Sequence, residues 1–196
     1  SGAGHVSIYH QLRGPGWTSS AFDASGLAAM VTAAEEVATG RADAIVAGGV
    51  ETTNDVVLRV LELFHGDQIR EARSEGAACA LLELRSGARA RGARPLAHVG
   101  GHGQLTWPIG DEASRSAAIA RFVAGRRADV ADCVLFVGRT GAGWEEALGA
   151  ARIVALEPRV GSHEAIGAVA VALAALEIAE GRAPRALVAQ EIVGAM

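Results

Sequence analysis

The sequence predicts an α/β fold, and three patterns support this prediction. Apolar runs of strand length alternate with longer helical segments, which is typical of α/β proteins. Two helical segments, residues 24–39 and 164–180, are apolar on nearly every side, as central buried helices are. Each is followed by Gly-Arg-Ala and an apolar run, in GRADAIVAGG and GRAPRALVAQ, which indicates an internal duplication.

The composition agrees with a closely packed core and gives no support to a nucleic-acid partner. Of the 196 residues, 50% are hydrophobic and only 4% are aromatic, so helices and strands can approach closely. The length suits one compact unit. The chain has no lysine, no run of arginines and a net charge of −4, which argues against nucleic-acid binding.

The first half of the chain is predicted to place a buried helix between two strands. Arg13–Gly16 end the first helix, and Gly40 ends the second. Residues 42–51 form a continuous apolar run, which favours a strand that is covered on both faces. The predicted elements are a helix over 3–12, a strand over 17–22, a helix over 24–39, a strand over 42–51, a helix with an exposed loop over 53–73, and antiparallel strands over 76–84 and 93–104.

The second half begins near WPIGDEASR, residues 107–115, which is the best candidate for a boundary. The sequence therefore divides into residues 1–106 and 107–196 within one compact unit. The elements predicted after the boundary are helices over 112–124, 143–150 and 164–180, and strands over 132–138, 152–156 and 185–193.

The two cysteines and the histidines His98 and His102 are interpreted as structural residues. Cys79 and Cys133 each lie in an apolar strand-like run, so we expect buried free thiols in a reducing cytoplasm. His98 and His102 flank two glycines without a third ligand nearby, so we expect no metal site there. We find no membrane span, signal peptide or phosphate loop, and we expect a cytoplasmic protein that uses no cofactor.

Three stretches of the chain resemble the β-ketoacyl synthases, the condensing enzymes of the thiolase-like fold. AGHVSIYHQLRGPGWTSSAFDASGLAAM, with GRADAIVAGGVE after it, resembles their nucleophile region. EGAACALLELRSGARARGARPLAHVGGHG resembles the next stretch, and GSHEAIGAVAVALAALEIAEGRAPRALV resembles their histidine-bearing turn and buried C-terminal helix. The resemblance implies a thiolase-like layered fold that is truncated on its N-terminal side. Residues 1–106 are then a remnant of the N-terminal half, and residues 107–196 are the C-terminal half.

The resemblance fails at the residues that carry out the family's reaction. The nucleophilic cysteine, which a helix N-terminus activates, falls on Asp23. The first histidine falls on Gly138, although the Gly and Thr spacing survives at Thr140 and Gly141. The second histidine corresponds to His163 only after a shift of one residue, and the family's lysine has no counterpart. We therefore expect a catalytically degenerate chain.

Asp23 and His163 leave several interpretations open. Aspartate is a good helix N-cap, and a histidine just before a buried helix is typical of a turn. Alternatively, Asp23 plugs a vestigial pocket, or it acts as an acid or base with His163 in a dry pocket. By the resemblance, residues 17–22 pair with the same strand of a second subunit, although an ordinary core position is the other interpretation. The interface and acyl-cavity candidates are Trp17, Thr18, Phe22 and Met30.

The resemblance implies a subunit of the chain-length-factor kind. Such a subunit lacks the nucleophile, forms a heterodimer with a full-length β-ketoacyl synthase, and bounds the cavity for an acyl chain that an acyl carrier protein delivers. This role belongs to type II polyketide, polyene or fatty-acid-like systems. Two other hypotheses stay open, namely a small decarboxylase or hydrolase that uses Asp23 with His163, and a homodimeric acyl-binding scaffold.

Overall fold

The computed structural model describes residues 2–66, 73–138, 143–149 and 152–191. Helices and strands alternate along them, which confirms the α/β prediction. The helices are α1 (Gly2–Tyr9), α2 (Ser25–Ala38), α3 (Asp55–His65), α4 (Arg85–Ala90), α5 (Glu112–Gly125), α6 (Arg127–Val130), α7 (Trp144–Leu148), α8 (Glu157–Val160) and α9 (Ile166–Ala179). The strands are β1 (Ala44–Glu51), β2 (Gly76–Glu83), β3 (Cys133–Val137), β4 (Arg152–Ala155) and β5 (Arg185–Ala189).

The described strands form two sheets of different kinds. β1 and β2 pair antiparallel along their whole length, with Ala44 opposite Glu83 and Glu51 opposite Gly76. β3 lies between β4 and β5, and these three strands are parallel. Parallel neighbours need crossover connections, and the connections here contain α7 and α9.

The central helices α2 and α9 cross in close contact because each has a glycine as its second residue. A Cβ atom on Gly26 would lie 2.7 Å from the backbone nitrogen of Ala168. A Cβ atom on Gly167 would lie 2.7 Å from the backbone nitrogen of Leu27. Any side chain at either glycine therefore forces the helices apart. The two contacts are reciprocal, as the packing of a duplicated unit requires.

The two central helices also end in the same way. Each has 14 residues, and a glycine with φ of 72°, Gly40 or Gly181, lies two positions after its last residue. An arginine follows that glycine and pairs with a glutamate of the preceding helix. These ion pairs are Glu36–Arg41 and Glu177–Arg182. We call α2 with β1 the first repeat and α9 with β5 the second repeat.

The two sheets differ in how their faces are covered. The β3–β4–β5 sheet packs on α9 through Val134 and Phe136, and on α5 and α7 through Leu135 and Val137. The β1–β2 sheet packs on α2 and α9 with one face only. Val46 lies on its other face and is 46% exposed. The prediction that residues 42–51 are covered on both faces is therefore wrong for the described residues.

Two predicted strands are not formed. Residues 17–20 and residues 93–104 run without helix or strand. A strand needs a neighbour that completes its backbone hydrogen bonds. Within the described residues, β1 and β2 pair only with each other, so neither segment has such a neighbour.

Both cysteines are free thiols, as predicted, but only Cys133 is buried. Burial raises the pKa of the Cys133 thiol. Cys79 is exposed, and its predicted burial is wrong, because it lies in β2 opposite Gly48 on the uncovered face.

Candidate functional site

The candidate site lies where the turns before α2 and α9 meet. The amide of Gly26 donates a hydrogen bond to the carbonyl oxygen of Glu164 at 3.2 Å. We call residues 21–25 the first turn and residues 162–166 the second turn. Alignment of α2 with α9 residue by residue places Asp23 at the position of Glu164, and Phe22 at the position of His163.

Ser25 holds the first turn in shape. Its hydroxyl accepts a hydrogen bond from the amide of Ala21 at 2.8 Å and donates one to the carbonyl oxygen of Phe22 at 2.6 Å. Phe22 has a φ of 48°, in the left-handed region that few non-glycine residues adopt, and it is 64% exposed. Strained residues of this kind cluster at functional sites. The first turn therefore retains a constrained backbone directly before Asp23.

Asp23 does not occupy the N-cap position of α2. That position is Ala24, which provides no side-chain cap. Asp23 stands one residue earlier, and its carboxylate oxygen Oδ1 lies 3.9 Å from Nη1 of Arg73. The interpretation of Asp23 as the helix N-cap is therefore wrong, and its carboxylate belongs to an ion pair.

Arg73 connects Asp23 to Glu51, the last residue of β1. Nη2 of Arg73 donates a hydrogen bond to Oε1 of Glu51. The other carboxylate oxygen of Glu51 accepts the backbone N–H of Glu164. Both side chains of this pair are nearly buried, where charge-assisted hydrogen bonds are strong. Glu51 thus ties the first repeat to the second turn.

Sequence reasoning missed both Arg73 and Glu51. Arg73 lies at the end of the segment predicted as a helix with an exposed loop, and only the tertiary structure brings it to the two turns. Glu51 was grouped with its apolar strand. The available signal was that Glu51 is the single charged residue within β1, at the carboxyl end.

His163 is buried in the second turn, with 2% of its surface exposed. Gly76 makes room for the imidazole, since a Cβ atom there would lie 2.4 Å from Cε1 of the ring. Nδ1 of the ring is buried and has no hydrogen-bond partner among the described residues. Burial lowers the pKa of His163, and the carboxylates of Glu51 and Asp23 oppose that effect. The imidazole is therefore neutral at neutral pH.

The pKa of Glu164 is raised in these surroundings, whereas that of His163 is lowered. Burial, followed by the charge of Glu51, raises the pKa of its carboxyl group, while Arg73 acts against that rise. The carboxylates of Asp23, Glu51 and Glu164 thus surround one guanidinium and one neutral imidazole. We call these five residues the polar cluster. The charge of Asp23 acts on the pKa of His163, and the cluster contains no thiol.

Gly138 directly follows β3, and the side chain of Gln190 lies beside it. A Cβ atom on Gly138 would lie 2.8 Å from Oε1 of Gln190, which follows β5. The carbonyl oxygen of Gly138 accepts the amide of Glu157 at 2.9 Å, and the charge of Glu157 acts on the pKa of His163. A histidine at this position requires Gln190 to move. The predicted spacing residues Thr140 and Gly141 lie outside the described residues.

The interface candidates divide into surface and core residues. Trp17 is half-buried, whereas Thr18 and Phe22 are exposed. Met30 is 4% exposed and packs with Ala33, Ala47 and Ala168. Met30 therefore belongs to the core of the described residues.

Two other kinds of feature are absent from the described residues. They contain no group of three or more His, Cys, Asp or Glu side chains that could hold a metal ion. Nor does any of their helices combine the length and the apolarity that a membrane crossing requires.

Comparison with known proteins identifies relatives in sequence. Residues 1–61 match the family described as "Beta-ketoacyl synthase, N-terminal domain". The chain is 40% identical over 113 residues to nodulation protein E of Rhizobium leguminosarum bv. trifolii. It is 34% identical over 120 residues to 3-oxoacyl-[acyl-carrier-protein] synthase 2 of Rhizobium meliloti. Each of these matches covers 52% of this chain and 28% of the relative.

Comparison with solved structures identifies the fold. A type II polyketide ketosynthase, solved with its acyl-carrier protein and bound to the hexaketide, matches 94% of this chain with a TM-score of 0.79 and 21% identity. A β-ketoacyl synthase from Burkholderia phymatum STM815 matches 91% with a TM-score of 0.66 and 21% identity. The chain spans 57% and 52% of these two structures. The expected thiolase-like fold, shortened relative to full ketosynthases, is thus confirmed.

Proposed function

Because the chain is similar to the β-ketoacyl synthases over part of their length, we propose that it is a non-catalytic subunit of the chain-length-factor kind. In this role it pairs with an active β-ketoacyl synthase, stabilises that enzyme and bounds the cavity for the growing acyl chain. The observation that carries the proposal is the ion pair between Asp23 and Arg73 at the place of the nucleophile. By the resemblance, Asp23 stands where the family has its cysteine, so a paired carboxylate takes the place of the thiol.

The chemistry of condensation supports this proposal. A thiolate that attacks an acyl thioester forms another thioester, which retains the acyl group for the next step. A carboxylate forms a mixed anhydride instead, and water cleaves anhydrides readily. A histidine at Gly138 would also have to displace the side-chain oxygen of Gln190.

Exposed apolar helices support the presence of a partner. No residue of α1 is buried, although this helix carries Val6, Ile8 and Tyr9. The apolar side of α3 is also exposed, at Val56 and Leu63. Large apolar surfaces of this kind are typical of protein interfaces. A ketosynthase partner would cover the apolar side chains of these helices. Trp17 and Phe22 lie in the segment that follows α1.

The solved relative that holds an acyl-carrier protein suggests the substrate. We propose that the acyl chain reaches the complex on such a carrier and reacts on the ketosynthase partner. The chain described here then contacts the acyl group without forming a bond to it.

Reconstitution with a full-length β-ketoacyl synthase and its acyl carrier protein tests this function. We expect the wild-type chain to raise the turnover or alter the product length, and Asp23→Ala to retain that effect within about twofold. Substitution of the partner's nucleophilic cysteine is the matched control, and it should abolish turnover. Loss of turnover with Asp23→Ala in an intact complex contradicts a non-catalytic role.

A second candidate function is an acid–base enzyme that uses Asp23 with His163. The observation that favours it is the polar cluster, in which a buried neutral imidazole lies near carboxylates. It predicts that the chain alone hydrolyses or decarboxylates acyl thioesters, and that Asp23→Asn and His163→Gln each abolish this activity. Turnover by the chain alone that survives both substitutions contradicts this candidate.

A further inference from the structure

The two repeats contact each other through polar groups at one end of their central helices. At the N-terminal ends of α2 and α9, the carboxylate of Glu51 accepts the backbone N–H of Glu164, and the amide of Gly26 donates to the carbonyl oxygen of Glu164. Farther along the helices, Met30 of α2 and Ala168 of α9 are buried in one apolar cluster. A change of protonation therefore acts on the N-terminal contacts, whereas the apolar contacts do not titrate.

Residues 73–76, which lead into β2, hold the second turn from another side. The amide of Ser74 donates a hydrogen bond to the carbonyl oxygen of Ser162 at 3.0 Å. The hydroxyl of Ser74 donates one to the carbonyl oxygen of Val160 at 2.6 Å. The backbones of Arg73 and Ser162 also form a parallel bridge. Hydrogen bonds to separate segments thus keep the second turn closed.

The imidazole of His163 is enclosed by these segments, with little room and without an acceptor for Nδ1. His163 is 2% exposed, and a Cβ atom on Gly76 would lie 2.9 Å from Nδ1 of its ring. Nδ1 has no hydrogen-bond partner among the described residues. Both ring nitrogens carry a proton in the imidazolium form. Protonation therefore creates a buried N–H donor at Nδ1 that has no acceptor, which is unfavourable.

The charged groups around the imidazole come from four other segments and from the second turn itself. They are Asp23 of the first turn, Glu51 of β1, Arg73 before β2, Glu157 of α8 and the neighbouring Glu164. The carboxylate of Glu51 is already engaged by the guanidinium of Arg73 and by the backbone N–H of Glu164. Burial outweighs the attraction of the carboxylates, so the pKa of His163 is lowered.

We propose that protonation of His163 opens the second turn, residues 162–166, while the two repeats stay folded around their apolar contacts. The imidazolium leaves its place beside Gly76 and reaches water. The N–H of Glu164 then separates from the carboxylate of Glu51, and the amide of Gly26 separates from the carbonyl oxygen of Glu164. The second turn is thus a pH-sensitive switch at the N-terminal ends of α2 and α9. This inference concerns the folded chain and does not depend on the function proposed above.

Amide hydrogen exchange of the full chain, measured by NMR from about pH 8 to about pH 5, tests the proposal. The amides of Gly26 and Glu164 report the opening, and the amide of Leu135 in the buried strand β3 reports the core. Protection factors are corrected for the intrinsic exchange rate at each pH. On acidification, we expect the protection of Gly26 and Glu164 to fall at least about tenfold further than that of Leu135. An equal fall at all three amides, or no fall at Gly26 and Glu164, overturns the proposal.

Substitution of the histidine identifies the group that responds. In His163→Gln, we expect the additional pH-dependent loss at Gly26 and Glu164 to disappear. His10→Gln, which removes an exposed imidazole from the chain, is the matched control and should behave as the wild type. A His163→Gln chain that keeps the additional loss overturns the proposal.

A measurement on the wild type keeps the proposal testable where His163→Gln does not fold. The ring signals of His163 are followed by NMR over the same pH range. We expect them to titrate together with the protection of the Glu164 amide. A ring that takes up its proton while the Glu164 amide stays protected overturns the proposal.

Discussion

The first and second turns lead into equivalent helices, but they place their side chains in opposite environments. The first turn exposes Phe22, whereas the equivalent residue of the second turn, His163, is buried. The next residue is acidic in both turns, and each carboxylate lies near Arg73. At equivalent positions of the two repeats, the first turn thus has an exposed aromatic ring and the second turn has a buried imidazole. Neither turn presents a thiol.

The two turns are linked through a single carboxylate. Glu51 binds Arg73 and the amide of Glu164, so three separate segments meet at one carboxylate. The close contacts at Gly26 and Gly167 hold the N-terminal ends of α2 and α9 together in the same region. The frame therefore serves the packing of the two repeats, and this role does not depend on chemistry at Asp23.

The largest expected effect comes from the reciprocal glycines. Gly26→Val and Gly167→Val should each lower the free energy of unfolding by about 3 kcal/mol or more, because the added atoms meet backbone. Gly125→Ala in α5 is the control, since its Cβ has free space and alanine favours helices. Chemical denaturation measures all three. A mild effect at one glycine and a severe effect at the other contradicts the equivalence of the repeats.

Removal of Glu51 should have the next largest effect. Glu51→Ala leaves the nearly buried Arg73 guanidinium without its closest carboxylate, which should cost about 3 kcal/mol of stability. Glu36→Ala is the matched control, since it removes a carboxylate from an ion pair whose arginine is well exposed, and it should change stability little. Equal losses in the two variants show that Glu51 does not tie the turns together.

The contact between Gly76 and His163 can be isolated by a double-mutant cycle. Gly76→Ala should destabilise the chain by about 2 kcal/mol because the methyl group overlaps the imidazole. In the background of His163→Ala, the same change should cost about 1 kcal/mol less. Denaturation of the four proteins gives the coupling energy. A coupling energy near zero would contradict the contact between Gly76 and the imidazole of His163.

The pH dependence of stability should carry a contribution from His163. Its pKa in the folded state is lowered, so the unfolded chain binds a proton more readily. The contribution to stability is complete above the unfolded pKa of about 6.5, and it is lost as the pH falls through the lower folded pKa. Melting temperatures from about pH 8 to about pH 5 should therefore fall less steeply for His163→Gln than for the wild type.

The same substitution at exposed His10 controls for the loss of an imidazole. Identical slopes for the wild type and His163→Gln refute a buried neutral histidine in the second turn.

The smallest expected effect distinguishes the two acidic positions. The folded-state pKa of Glu164 is raised, so its protonated form gives stability that is complete below the unfolded pKa and is lost as the pH rises through the folded pKa. Glu164→Gln should therefore stabilise the chain by roughly 0.5 kcal/mol at neutral pH and not at all below about pH 4. Asp23→Asn removes an ion pair with Arg73 and should give no such gain. Equal gains in stability for Glu164→Gln and Asp23→Asn would contradict the difference between the two acidic positions.

Local patterns in the sequence were sufficient for most of the fold. The long apolar segments identified α2 and α9, and the Gly-Arg-Ala repeats identified β1 and β5, because these signals depend on neighbouring residues alone. The strand predicted over residues 17–22 failed because a strand also needs a partner. The exposure of Val46 was unpredictable for the same reason, since an apolar run does not reveal which of its faces is covered.

The polar cluster was only partly predictable. The resemblance located Asp23 and His163, but Glu51 and Glu164 are 113 residues apart and meet only in the folded chain. The position of Gln190 beside Gly138 was not predictable either, because it depends on the pairing of β3 with β5. Contacts between distant segments leave no periodic signal.

Intact-mass measurement of the assembled complex tests the central claim most directly. The chain, a full-length β-ketoacyl synthase and an acyl-loaded carrier protein are mixed, and the mass of each polypeptide is measured after one turnover. A non-catalytic role of this chain predicts an acyl adduct on the synthase and no adduct on this chain, with hydroxylamine present to trap any anhydride as a hydroxamate. An adduct or hydroxamate on this chain would contradict that role.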